Sequence, residues 1–111
     1  MNMKRVFAAV GFTAMLACAQ EIHILPVQGN VSMLIGPGGN TTVQTGKEGI
    51  AVVDTQTAGA AAQVMAAIRK LSEGPIIWVI NTSLDADHMG GNETLIRLGG
   101  STQPESSGSG A

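Results

Sequence analysis

The stretch Asn81-Thr82-Ser83-Leu84-Asp85-Ala86-Asp87-His88-Met89-Gly90-Gly91-Asn92 places two carboxylates and one imidazole within four positions. It follows a strongly apolar run, residues 75–80, and its Gly-Gly pair leads into a segment with helical patterning. Carboxylate oxygens and a neutral imidazole nitrogen are ligands that suit Zn²⁺ and its first-row neighbours. Because residues two and three apart on an extended or tightly turning loop can face one centre, we interpret Asp85, Asp87 and His88 as candidate metal ligands.

This stretch resembles the metal-binding motif of the metallo-β-lactamase-fold hydrolases, in which a strand ends in Asn-Thr-His-x-His-x-Asp-His and continues with x-Gly-Gly-Asn. The chain differs from that motif at two positions. Ser83 stands where the family has its first histidine, and Asp85 stands where it has the second. The residues that match are Asn81, Thr82, Asp87, His88, Gly90, Gly91 and Asn92. In the family the two leading histidines hold one metal ion and the Asp-His pair helps to hold the other, so the substitutions affect the first metal position.

The resemblance implies metal-assisted hydrolysis of a small-molecule substrate. A zinc ion would lower the pKa of a bound water to about 7, and this water would attack a carbonyl or phosphoryl centre. Asp87 would be the catalytic residue, because it would both ligate the metal and orient or deprotonate the water. His88 would be a second ligand and Asp85 a third, although Asp85 is alternatively a solvated turn residue. The resemblance also implies that Asp54, at the end of a predicted strand, braces the metal loop.

The length of the chain limits how much of such a domain it contains. With 111 residues it has room for one small domain, and a metallo-β-lactamase fold usually needs roughly twice that length. The family's later ligands include histidines, and no histidine follows His88. We therefore expect the N-terminal half of an αββα sandwich, as a truncated gene product or a fragment of a longer reading frame, active only with the missing C-terminal half. The alternative is a non-catalytic relative or gene fragment that acts at most as a binding module.

Hydrophobic periodicity predicts an α+β fold. Short β-branched runs separated by glycine-rich turns predict four strands in antiparallel hairpins, at residues 22–27, 31–35, 41–45 and 50–54. An alanine-rich segment with apolar residues at helical spacing predicts a helix over residues 58–71. The apolar run at 75–80 is typical of a strand buried on both faces. The metal-motif loop follows it, and a second short helix is predicted over residues 92–98.

The two ends of the chain differ in composition from the middle. Lys4 and Arg5 precede a short apolar stretch and the small-x-small sequence Ala17-Cys18-Ala19, a pattern that predicts a signal peptide over residues 1–19. We therefore expect a secreted or periplasmic protein. Because residues 15–18 loosely resemble a lipobox, the alternative is a lipoprotein anchored to the membrane through Cys18.

Residues 20–98 form the predicted partial domain. Residues 99–111 contain no large apolar side chain, which predicts disorder.

The charge balance argues against a nucleic-acid partner. Outside the predicted signal peptide, the chain carries four basic residues against eight acidic ones, and Trp78 is its one aromatic residue. A basic stripe with stacking aromatic side chains is the usual footprint of a nucleic-acid-binding protein. The sequence therefore predicts that nucleic acid is not a partner, and the small-molecule substrate remains what the resemblance implies.

Overall fold

The computed structural model describes residues 21–100 of the chain. Five strands form one mixed sheet in the order β1-β2-β3-β4-β5. The predicted signal peptide and residues 101–111 of the predicted disordered tail lie outside the described residues. The elements are β1 (His23–Gln28), β2 (Val31–Gly36), β3 (Gly39–Gly46), β4 (Gly49–Val53), a 3₁₀ turn (Ala58–Ala60), α1 (Ala61–Leu71), β5 (Ile76–Ile80), α2 (Ala86–Met89) and α3 (Asn92–Gly99).

The first four strands form the antiparallel meander that the sequence predicts. Pro37 and Gly38 make the tight turn between β2 and β3, where Gly36 pairs with Gly39. Strand β5 joins the sheet parallel to β4, and helix α1 lies between the two in the chain, as parallel pairing requires. The two neighbouring strands β4 and β5 therefore end at the same edge of the sheet.

The core lies between one face of the sheet and the helices. From the sheet, Leu34 and Val52 are fully buried, and they meet Ile68 of α1 and Leu95 of α3 in one apolar cluster. Its other members are Val43, Ile50, Ala60, Ala61, Val64, Met65, Ala67 and Ile76. We call this face of the sheet the inner face. Burial of these side chains is what positions α1 and α3 relative to the ends of β4 and β5.

The prediction that the 75–80 run is buried on both faces is wrong. Strand β5 lies at the edge of the sheet, and the side chains of Trp78 and Ile80 are 64% and 50% exposed. The opposite face of the sheet, the outer face, also leaves Leu25 and Val27 of β1 exposed. A continuous apolar run has the same composition whether its second face is covered or open. In the part of the chain that the structure describes, only the inner face has a covering layer.

The metal motif is more helical than the sequence suggests. Residues 86–89, which were expected in a loop, form the short helix α2. Helix α3 continues one residue past the predicted end at Leu98, and Gly100 pairs with Ile76. Between residues 21 and 100, no helix has the length and apolar character needed to cross a membrane.

Candidate metal centre

The candidate site lies at the edge of the sheet where β4 and β5 end together. The backbone N–H of Asp54 donates to the Ile80 carbonyl at 2.8 Å, so the residues after both strands are held side by side. The Asp54 carboxylate then accepts two hydrogen bonds from Thr82, one from the backbone N–H at 2.8 Å and one from the hydroxyl at 2.7 Å. These bonds fix the direction in which the motif leaves β5.

The backbone just after β4 adopts an unusual conformation. Asp54 and Gln56 have positive φ angles of 61° and 63°, a region that costs a non-glycine residue about 1–3 kcal/mol. The surrounding contacts hold the segment in place. The N–H of Thr55 donates to the His88 carbonyl at 2.7 Å, and the buried Gln56 amide donates to the Leu34 carbonyl at 3.3 Å. In this conformation the Asp54 carboxylate faces the motif and accepts the hydrogen bonds from Thr82.

Two asparagines join the motif to the strand ends. The side-chain amide of Asn81 donates to the His88 carbonyl at 3.0 Å. Asn81 and Asn92 also exchange hydrogen bonds between their side-chain amides, at 3.0 and 2.6 Å. The Thr55 hydroxyl donates to Asn92 Oδ1 at 2.8 Å. Helix α2 and the start of α3 are therefore tied to both β4 and β5.

The imidazole of His88 is oriented by Asp54. His88 Nδ1 lies 2.9 Å from Asp54 Oδ2. An ionised carboxylate only accepts hydrogen bonds, so Nδ1 carries the proton and Nε2 of the neutral ring keeps its lone pair. Nε2 in turn lies 3.7 Å from Asp87 Oδ1. A carboxylate that holds the distal nitrogen of a ligating histidine is the usual support of a metal-bound imidazole.

The structure brings together the three ligands predicted from the sequence. One possible ligand atom from each of Asp85, Asp87 and His88 lies within 4.8 Å of the others. When the His88 ring is neutral, its Nε2 and the two carboxylates are all hydrogen-bond acceptors. None of the three can donate to the others, so a cation or a proton between them would stabilise the group. The chemistry of this donor set therefore fits a divalent metal ion. Ser83 is engaged locally, because its hydroxyl accepts the N–H of Asp85 at 3.1 Å.

The pKa values of His88 and Asp54 follow from the contacts that these two side chains make. The hydrogen bond to Asp54 raises the pKa of His88 above 6.5; partial burial opposes this, and the nearby Asp87, Asp54 and Asp85 charges add to it. Burial acts to raise the pKa of Asp54, but the hydrogen bonds from Thr82 and His88 outweigh it and hold that pKa below 3.8. Between pH 3.8 and pH 6.5, the His88 and Asp54 side chains of the metal-free chain are therefore both charged.

A pH dependence of stability follows for the metal-free chain. The raised pKa of His88 gives stability that is complete below 6.5 and is lost as pH rises through its folded value. The lowered pKa of Asp54 gives stability that is present above 3.8 and is lost as pH falls. We expect the urea concentration at half-unfolding to decrease as the pH is raised from about 5.5 to about 8.5. The decrease should be smaller in a His88→Gln variant. Equal losses in both proteins would contradict this assignment.

The comparison with known families agrees with this geometry. Residues 34–104, well over half of the chain, match the sequence profile of the Metallo-beta-lactamase superfamily. The chain belongs to the metallo-β-lactamase superfamily. Among curated proteins, no significant match to it was found. The resemblance read from the motif is therefore confirmed at the level of the superfamily, and the Asp85, Asp87 and His88 group fits a superfamily whose members often bind zinc.

Several residues that hold the metal motif of this superfamily member in place are not predicted from the sequence. The sequence pattern indicates no role for Thr55 or Gln56, yet both are fully buried, and they hydrogen-bond to His88 of the motif and Leu34 of β2, respectively. The resemblance places Asn81 and Asn92 in the motif without indicating a function, and the structure shows them as the pair that ties the motif to the strands. The available signal was a run of polar residues directly after two apolar strands. Asp54 occupies the bracing position that the resemblance implied.

Proposed function

We propose that this chain supplies part of the metal centre of an exported, metal-dependent hydrolase of the metallo-β-lactamase type. One observation carries the proposal: Asp85, Asp87 and His88 offer ligand atoms within 4.8 Å of one another, and Asp54 holds His88 in the tautomer that a metal requires. Any further ligands would come from residues outside 21–100. Export is proposed from the signal-peptide pattern at the start of the sequence.

The residues have separable roles in this proposal. When bound, the metal would act as a Lewis acid and lower the pKa of a water molecule to about 7. Asp54 keeps the proton of His88 on Nδ1, so Nε2 stays available for ligation. The Asp87 side chain is 60% exposed, so its carboxylate is accessible to a substrate and can accept a proton from an attacking water. Membership of the superfamily restricts the reaction class only weakly, so we propose a small-molecule substrate without naming it.

A second candidate function is that of a non-catalytic relative that acts as a binding module. It is supported by the two substituted ligand positions, Ser83 and Asp85, and by the local turn in which the Ser83 hydroxyl is engaged. The two candidates differ in whether the chain takes up metal.

The experiment is metal analysis of the purified 111-residue chain by elemental mass spectrometry. The test variant is Asp87→Ala with His88→Ala, and the matched control is Glu48→Ala, which removes an exposed acid in the turn between β3 and β4. We expect stoichiometric divalent metal in the native chain and in the control, and none in the double variant. Background metal in all three proteins would overturn the proposal that Asp85, Asp87 and His88 are metal ligands in this chain, and would favour the binding module.

A further inference from the structure

The donor set of the site is rich in oxygen and poor in nitrogen. Two of the three grouped ligands, Asp85 and Asp87, are carboxylates, and His88 is the single imidazole among them. Residues 21–100 contain no cysteine. The other histidine in that range, His23, lies on the edge strand β1 and is not a member of the group. The part of the chain that the structure describes therefore offers the metal no second imidazole and no cysteine thiolate at this place.

The Asp85 carboxylate is available as a ligand because the backbone around it is held by other groups. Asp85 directly precedes α2, where an aspartate side chain commonly accepts a backbone N–H of the helix. It makes no such bond here. The Asp85 carbonyl instead accepts the N–H of His88 at 2.9 Å and of Met89 at 3.2 Å, and Ser83 accepts the Asp85 N–H. The position of Asp85 is thus fixed while its charged group stays within reach of the other two ligands.

Carboxylate and imidazole ligands favour different ions. Carboxylates and water suit Mn²⁺ and Mg²⁺, whereas imidazole suits Zn²⁺ and its neighbours. Asp85 and Asp87 are exposed, so water oxygens have access to the remaining coordination positions, which also suits the harder ions. We infer that Asp85 shifts the selectivity of this site from Zn²⁺ toward Mn²⁺. The inference rests on the proposed metal-binding function and adds to it which ion the site selects.

The test compares selectivity ratios, because Zn²⁺ binds most sites more tightly than Mn²⁺ in absolute terms. Dissociation constants for the two ions alone would be measured on the 111-residue chain, with a competing chromophoric chelator for Zn²⁺ and the electron paramagnetic resonance signal of free Mn²⁺. The key variant is Asp85→His, which places an imidazole at this position. Asp85→Asn is its partner, because it removes the charge and keeps the shape.

We expect Asp85→His to raise the preference for Zn²⁺ over Mn²⁺ by about tenfold or more, through tighter Zn²⁺ and weaker Mn²⁺ binding. Asp85→Asn is expected to weaken Mn²⁺ more than Zn²⁺. If both ions bind the native chain but the ratio stays within about threefold in Asp85→His, the selectivity inference is overturned and the metal site stands. If neither ion binds the native chain, the proposed function fails, and the inference fails with it.

Discussion

Replacing Gly91 with alanine is expected to destabilise the chain by about 2 kcal/mol or more, the usual cost of forcing extra atoms into a packed site. Gly91 is buried, and a Cβ there would lie 2.5 Å from the Thr55 carbonyl oxygen and 3.1 Å from the Thr55 Cβ. The Thr55 backbone has little room to retreat, because its neighbours Asp54 and Gln56 already hold positive φ angles. The motif would have to move away from the end of β4.

Urea unfolding of the Gly91→Ala variant measures this effect. Gly59→Ala is the matched control, because a Cβ at this exposed position meets nothing within 4 Å, and its effect should stay within about 0.5 kcal/mol. Since the same shift would separate His88 from Asp54, metal affinity should fall together with stability in Gly91→Ala. Equal unfolding midpoints for the two variants would show that the motif is not packed against Thr55 as described.

Asp54→Asn is expected to weaken metal binding by about 10–100-fold, the usual loss when the partner of a ligating histidine is removed. An asparagine has the same shape but can donate a hydrogen bond, so it no longer requires the proton of His88 to be on Nδ1. A neutral ring with its proton on Nε2 cannot ligate through that atom. The lower pKa expected for His88 in this variant follows from the same lost bond.

Two measurements separate this positioning role from a general loss of structure. The first is the metal dissociation constant, compared with Glu48→Gln, which makes the same change of charge at an exposed turn. The second is the nitrogen chemical shift of the His88 ring in the metal-free chain, which reports its tautomer. An affinity within about threefold of the native chain, against the loss of at least about tenfold that removal of such a partner usually causes, would mean that Asp54 does not orient His88.

The elements were predictable wherever local pattern decides them. Alternation and turn glycines located β1 to β4 to within one or two residues, and apolar spacing located α1 and α3. The sequence does not predict helix α2, because four residues are too few to show a period. Its His88 carbonyl accepts hydrogen bonds from Thr55 and Asn81, which follow β4 and β5. The sequence also does not predict the exposed outer face of β5, since the apolar composition of a strand does not show whether one face or both faces are covered.

By itself, the sequence determined the candidate ligands Asp85, Asp87 and His88 and the superfamily to which the chain belongs. These features are local, because residues within four positions carry both the chemistry and the motif. Only the tertiary structure decided which nitrogen of His88 faces Asp87. Asp54 lies 34 residues from His88 in the chain, and it reaches the imidazole because parallel pairing of β4 with β5 brings their ends together. Contacts over that separation depend on strand register, which is set by burial of the whole inner face.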